Sequence, residues 1–262
     1  MLTIESAHLR YGNRAILEDV SVGIETGSFT VVVGPNGAGK SSLVKLMTGE
    51  SEPSLGTVRL AGADLSAFSP RALARRRAVL PQSSALSFPF TVAEVIRLGL
   101  EAGGHRLMPS AIETALSTVD LSGFEARSFE TLSGGEQQRV HMARVLCQIG
   151  EPASWSEPRY LFLDEPVSSL DIRHQLSVLR IAHDLSRKGA GVVAVLHDLN
   201  LASAFADRIL VVSNGRIAAD GPPATVICDG LLGEVFATGL KVGRLPPATM
   251  PFVLPQTAAF PT

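Results

Sequence analysis

Four short apolar runs punctuate the chain: FTVVVG at 29–34, YLFL at 160–163, GVVAVLH at 191–197 and RILVVS at 208–213. Each has the length of a strand and almost no polar alternation, the pattern of strands buried on both faces of a parallel sheet. Residues 1–26 alternate instead, with Leu2, Ile4, Ile16, Leu17, Val20, Val22 and Ile24 apolar, which predicts antiparallel strands. SLGTVRLAG at 54–62 predicts a further strand after a turn. Helical patterns follow FTVVVG, as SSLVKLMTG ending at Gly49, and recur near 172–187 and 199–206.

The stretch 84–130 changes character. TVAEVIRLGL opens with Thr91 and Glu94 at capping-box spacing, and SAIETALSTV with Ser110 and Glu113. Ile112, Leu116 and Val119 keep helical spacing, so this region predicts a helical lobe inserted into a sheet domain. Strands alternating with helices on either side predict an α/β fold with a parallel sheet. From Pro246 onward the chain is proline-rich and predicts an extended surface strip. The loop SALSFPF at 84–90 places Leu86, Phe88 and Phe90 in an exposed stretch, which predicts either a docking surface or packing inside the lobe.

Composition changes this picture little. The chain has 262 residues, 45% of them hydrophobic and 18% charged, with mean hydropathy +0.24. That is apolar, yet no run approaches the ~20 residues of a membrane-spanning helix. MLTIESAHLR lacks the basic-then-apolar layout of a signal peptide, so the expectation is a cytoplasmic chain. Net charge −2 gives no reason to expect a nucleic-acid partner. Cys147 and Cys228 lie far apart without metal-ligand spacing and are expected to be small buried hydrophobes.

Three stretches carry chemistry. Gly34-Pro35-Asn36-Gly37-Ala38-Gly39-Lys40-Ser41-Ser42 fits G-x-x-x-x-G-K-[ST] between a strand and a helix. In that setting backbone N–H groups wrap phosphates, Lys40 reaches the β/γ oxygens and Ser41 ligates Mg²⁺. YLFLDE ends an apolar strand on Asp164 and Glu165, where α/β sheets bind ligands; Asp164 suits Mg²⁺ and Glu165 suits polarising a water. TLSGGEQQRV pairs Ser133 with Glu136 around Gly134 and Gly135, a second anion-binding helix start.

Together these motifs resemble the nucleotide-binding subunits of ATP-binding cassette (ABC) transporters, over about residues 1–235. LSGGEQQ at 132–138 is similar to the family's signature almost letter for letter. The resemblance implies a P-loop NTPase fold of the ABC ATPase type, with an antiparallel β subdomain and an inserted helical subdomain. Its expected bounds are 1–245 for the ATPase domain, about 84–135 for the inserted lobe and 246–262 for the tail. The resemblance also implies further site residues: Tyr11 in HLRYGN stacking on adenine, Gln82 in VLPQ joining sheet to lobe and completing the metal shell, the D-loop SSLD at 168–171, and His197 in VAVLHDLN near the γ-phosphate. Catalysis would fall to Glu165, His197 and Lys40. The histidines His8, His105, His141, His174 and His183 fit no motif and are expected to be structural.

In this family two copies pair head to tail, each ATP lying between the P-loop of one and the SGG turn of the other. Ser133, Gly134, Gly135 and Glu136 are thus expected to serve the partner's nucleotide. DNA-handling ABC proteins carry long coiled coils, translation factors two cassettes and exporters their own membrane helices; none of these is visible here. The implied partners are a second copy, two membrane permease subunits and, indirectly, a periplasmic binding protein, at the cytoplasmic face of a bacterial inner membrane. TVAEVIRLGL and LHDLNLA (196–202) are similar to importers of iron-siderophores, haem and vitamin B12. The loop GEPASWSEP at 150–158 and the tail MPFVLPQ at 250–256 resemble haem-importer ATPases. A soluble ABC ATPase of iron–sulfur assembly is the alternative of another class. Trp155, although aromatic, is not read as a haem-stacking residue.

Overall fold

The structure, a computed structural model, describes residues 1–82, 89–168 and 170–257. Strands β1 (Leu2–Tyr11) and β2 (Arg14–Ile24) form an antiparallel hairpin, and β3 (Phe29–Val33) leads through a loop into α1 (Lys40–Thr48). Next come β4 (Leu55–Leu60), β5 (Ala63–Asp64), α2 (Pro70–Ala74) and β6 (Arg77–Leu80). Helices α3 (Val92–Gly103), α4 (Pro109–Thr118) and α5 (Gly134–Ile149) separate β6 from β7 (Tyr160–Asp164). The chain continues with α6 (Ile172–Arg187), β8 (Gly191–Val195), α7 (Leu199–Phe205), β9 (Arg208–Ser213), β10 (Arg216–Gly221), α8 (Pro223–Val226) and α9 (Asp229–Glu234).

Two sheets result, one of four strands in the order β2-β1-β4-β5 and one of six in the order β10-β9-β3-β8-β7-β6. The first is antiparallel; in the second β9, β3, β8, β7 and β6 run parallel and β10 is antiparallel. The uninterrupted apolar runs have the expected cause. Phe29, Val31 and Val33 of β3 join Leu161, Leu163, Val192 and Ala194 in the core shared with the helical lobe. Val32, Tyr160, Phe162, Val193 and Val195 point the other way, into the core shared with α1 and the antiparallel sheet. Each fully buried side chain of this size contributes roughly 1.5–3 kcal/mol of transfer free energy.

The lobe packs its apolar stripe (Val92, Val95, Ile96, Leu100, Ile112 and Leu116) against the first of these cores. Thr91 and Glu94 form the expected capping box at the start of α3. Ser110 and Glu113 do not. Helix α4 starts at Pro109, whose fixed φ and missing N–H suit the first helical position, so Ser110 already lies inside the first turn. Phe90 is partly buried against the lobe's core rather than exposed. Leu86 and Phe88 lie outside the described residues.

Cys147 is buried, and burial pushes its thiol up to about 12. Cys228 is exposed, because it sits at the start of the short surface helix α9; the expectation that both cysteines are buried is wrong for it. Trp155 folds back on α5, its Nε1 donating to the Ile149 carbonyl at 2.9 Å. The tail is largely exposed, but a short turn at Pro255–Thr257 anchors it to α7, where Gln256 Nε2 donates to the Asn200 carbonyl at 3.1 Å. Among the described residues no helix is long and apolar enough to cross a membrane.

Candidate functional site

The parallel sheet sets the site. Strands β3, β7 and β8 are neighbours, so the residues that follow each of them share one edge. At the end of β3 the backbone turns at Gly34 with φ +149°. A Cβ on Gly34 would stand 2.0 Å from the Val212 carbonyl oxygen of β9. At Gly39, φ +107°, a Cβ would stand 2.8 Å from Leu17 Cδ2. The loop between them therefore runs tight against β9 and Leu17 into the start of α1, where the helix macrodipole favours an anion.

The cause at Gly34 is backbone pressing on backbone, which gives a direct expectation. Gly34→Ala combines a strained φ with a clash that only a shift of β9 relieves. It should lower stability by about 2–4 kcal/mol, a fall in Tm of roughly 5–15 °C for a chain of this size. Differential scanning fluorimetry checks this; an unchanged Tm would mean that the loop can re-route.

Lys40 is only 6% exposed. Its Nζ donates to the carbonyls of Gly34, at 2.8 Å, and Pro35, at 2.9 Å. Burial pulls its pKa below the usual lysine value, opposed by the charges of Glu165 and Asp164. Ser41 Oγ donates to Asp164 Oδ1 at 3.2 Å. Burial raises the Asp164 carboxyl above its ordinary value, the Ser41 hydrogen bond works against this, and the neighbouring Glu165 charge adds to it.

Glu165 is held from both sides. Its Oε2 accepts from Gln82 Nε2 at 2.7 Å, and its Oε1 lies 2.7 Å from His197 Nε2. It adopts φ +51°, in the left-handed region that non-glycine residues rarely occupy, while Ser168 donates to its carbonyl through both N and Oγ. A carboxylate on a strained turn at a strand end is a common mark of a functional position. The cleft above these residues measures about 790 Å³ and is lined by Arg14, Ile16, Asn36, Gly37, Gly39, Lys40, Ser41, Ser42, Gln82, Glu165 and His197.

Arg14 and Ile16 were not among the residues expected from the sequence, because neither belongs to a motif with its own local signal. Tyr11 stands on the same hairpin, 53% exposed, with its hydroxyl 3.2 Å from Ser51 Oγ. The SGG turn is built as its spacing suggests. Ser133 N and Oγ donate to Glu136 Oε2 at 2.8 and 2.7 Å, and Glu136 N donates back to Ser133 Oγ at 3.3 Å. These bonds hold the Glu136 carboxyl below its usual value. Ser133, Gly134, Gly135 and Glu136 are not among the residues lining the cleft, and a Cβ on Gly134 would meet open space.

The oxygen donors Ser41 and Asp164 suit a hard cation such as Mg²⁺. Among the described residues no group of three or more His, Cys, Asp or Glu could hold a metal alone. A phosphate cradle, a hydroxyl–carboxylate pair and a clamped strand-end glutamate define an ATPase of the ATP-binding cassette class.

The sequence profile described as ABC transporter matches residues 17–168, and the chain belongs to this family. It is 48% identical to the hemin import ATP-binding protein HmuV of Rhizobium meliloti (strain 1021), over 98% of this chain and 99% of that one. It is 51% identical to the protein of the same name from Chelativorans sp. (strain BNC1), over 98% and 99% of the two chains. Among solved structures, an ATP-binding subunit of an ABC transporter superposes with TM-score 0.76 at 26% identity, over 86% of this chain and 91% of that one. A dimeric ATP-binding cassette in a post-hydrolysis state with ADP and Pi shares the fold, with TM-score 0.74 at 24% identity over 85% and 99% of the two chains.

Proposed function

We propose that this chain is the ATP-hydrolysing motor subunit of a bacterial haem importer. It would work as a homodimer on two membrane permease subunits at the cytoplasmic face of the inner membrane, with a periplasmic binding protein acting indirectly. The near-full-length identity to hemin import ATP-binding proteins supports the cargo. The observation that carries the mechanism is the presence of two anion cradles, only one of which lines the cleft. A second cradle facing open space is explained if it completes the cleft of another copy. Residues 1–245 would then act as the ATPase domain, the lobe at about 84–135 would carry the trans cradle, and 246–262 would form the tail.

In this reading the 34–42 loop amides and Lys40 bind the phosphates and Tyr11 stacks on the adenine. Ser41, Asp164 and Gln82 would hold Mg²⁺, which when bound offsets phosphate charge. Glu165 accepts a proton from water as the water oxygen bonds to the γ-phosphorus and the bond to the bridging oxygen breaks, leaving ADP and phosphate. Gln82 and His197 each engage one of its carboxylate oxygens, and each oxygen keeps a second lone pair for that proton. His197 then donates to the γ-phosphate. Because the γ-phosphate bridges both copies, ATP favours the closed dimer and ADP does not.

The test is co-purification of the tagged chain from membranes, followed by uptake of haem, siderophore and vitamin B12 with and without it. Membrane subunits should co-purify, and haem uptake alone should depend on the chain. A chain that brings down no membrane protein supports the iron–sulfur assembly alternative. Dependence of siderophore or B12 uptake instead moves the cargo.

A further inference from the structure

Among the described residues that line the cleft, Lys40 is a cation with partners and Arg14 is one without. Lys40 is committed to the Gly34 and Pro35 carbonyls and sits beside Glu165 and Asp164. Arg14 is exposed, lines the same cleft and enters no hydrogen bond or ion pair through its side chain among the described residues. Its place is fixed from two directions. It pairs directly with Tyr11 across the tight turn joining β1 to β2, and directly opposed residues of an antiparallel pair project from the same face. Two residues on, the backbone at Ile16 abuts the phosphate loop, its carbonyl oxygen lying 3.1 Å from where a Cβ on Gly39 would be. Arg14 thus stands between the hairpin's tyrosine and the anion cradle.

Resting on the reading of this cleft as the ATP site, we propose that Arg14 binds the α-phosphate of the nucleotide. With the adenine on Tyr11, the α- and β-phosphates along the loop amides and the γ end at Lys40, the ribose and α-phosphate are the parts of the ligand that pass nearest Arg14, which would add a charged contact to the amides already there. A guanidinium offers a planar, permanently charged fork that matches phosphate oxygens in a bidentate manner. The same side chain as an ordinary solvated arginine would leave nucleotide affinity unchanged.

Arg14 makes its contribution in the ground state, far from the bond that breaks, so its loss falls on KM rather than kcat. Because the side chain is exposed, a moderate effect is expected: Arg14→Ala raises KM for ATP about three- to tenfold. Arg14→Lys, which keeps charge but loses the fork, falls between. The discriminating measurement is competition of AMP and of adenosine against a fluorescent ATP analogue on the purified full chain. Arg14→Ala should weaken AMP by the same factor as ATP and leave adenosine unchanged, and raising the salt concentration should shrink the difference. Equal weakening of AMP and adenosine would mean that Arg14 supports the base or the hairpin, and no change in ATP binding would mean a solvated surface residue; either overturns the assignment. A wild-type chain without saturable ATP binding would instead overturn the cleft assignment itself.

Discussion

Replacing Glu165 with glutamine should convert a transient ATP-bound dimer into a stable one. Glutamine nearly matches glutamate in volume and still orients a water, but it cannot take the proton the attacking water must lose. Loss of a general base lowers the rate by ~10²–10⁴-fold, about 3–5 kcal/mol on the barrier. The substitution is mild for the fold. Glu165 accepts from Gln82 and faces His197, and the glutamine carbonyl can keep one of these contacts while its amide must turn toward the other. The ground-state phosphate contacts of Lys40, Ser41 and the loop amides remain, so ATP stays and the closed dimer accumulates. Adding Ser133→Arg should undo the trap, because it fills the open space before the SGG turn without touching the phosphate loop. Size-exclusion chromatography with ATP and with ADP reads this out. A monomeric Glu165→Gln chain with ATP, or a double variant that dimerises equally well, would overturn the shared-nucleotide arrangement.

Lys40→Met should reduce hydrolysis by at least ~10²–10³-fold, the usual loss when one preorganised donor to a transition-state oxyanion is removed, and should weaken ATP binding as well. Stability separates this from misfolding. Burial lowers the folded-state pKa of Lys40 below its unfolded value, so holding the ammonium charged in the fold is unfavourable. The sign follows from linkage: between the depressed folded pKa and the ordinary lysine value the unfolded chain binds more protons, so this penalty is present at lower pH and is relieved as pH rises through that window. Methionine keeps the buried stem and removes the charge. Methionine also leaves the Gly34 and Pro35 carbonyls without their donor, which opposes that relief, so the melting temperature at neutral pH should change little while turnover disappears. A variant that hydrolyses ATP at the wild-type rate would overturn the role of the 34–42 loop.

Much of the site was legible in one dimension because its parts are local. A strand running into a glycine-rich loop and a helix start, a strand closing on Asp164-Glu165, and a capping box around Gly134 and Gly135 each form from contiguous residues whose backbone demands show in their own letters. The buried strands were legible because both faces of a parallel sheet require apolar residues without alternation. Less was legible where a local pattern had a competitor or no length. Ser110 and Glu113 have capping-box spacing, but Pro109 takes the first helical position. The four-residue β6 and the half-exposed β10 are too short or too polar to show a period.

The sequence alone therefore determined the family, the α/β architecture, the glycine-rich loop and the capping box at Ser133 as local structures, and the position of the acidic pair at a strand end. Tertiary structure decided what the acidic pair touches. Gln82, Glu165 and His197 meet only because β6, β7 and β8 lie side by side in the sheet, a pairing order no local signal encodes, and Gln82 and Glu165 are 83 residues apart. It likewise decided that Arg14 lines the cleft, that Cys228 is exposed and that the SGG turn does not line its own chain's cleft. Orientation toward a distant element depends on how strands are ordered and helices packed, and that is set by burial summed over the whole core rather than by neighbours along the chain.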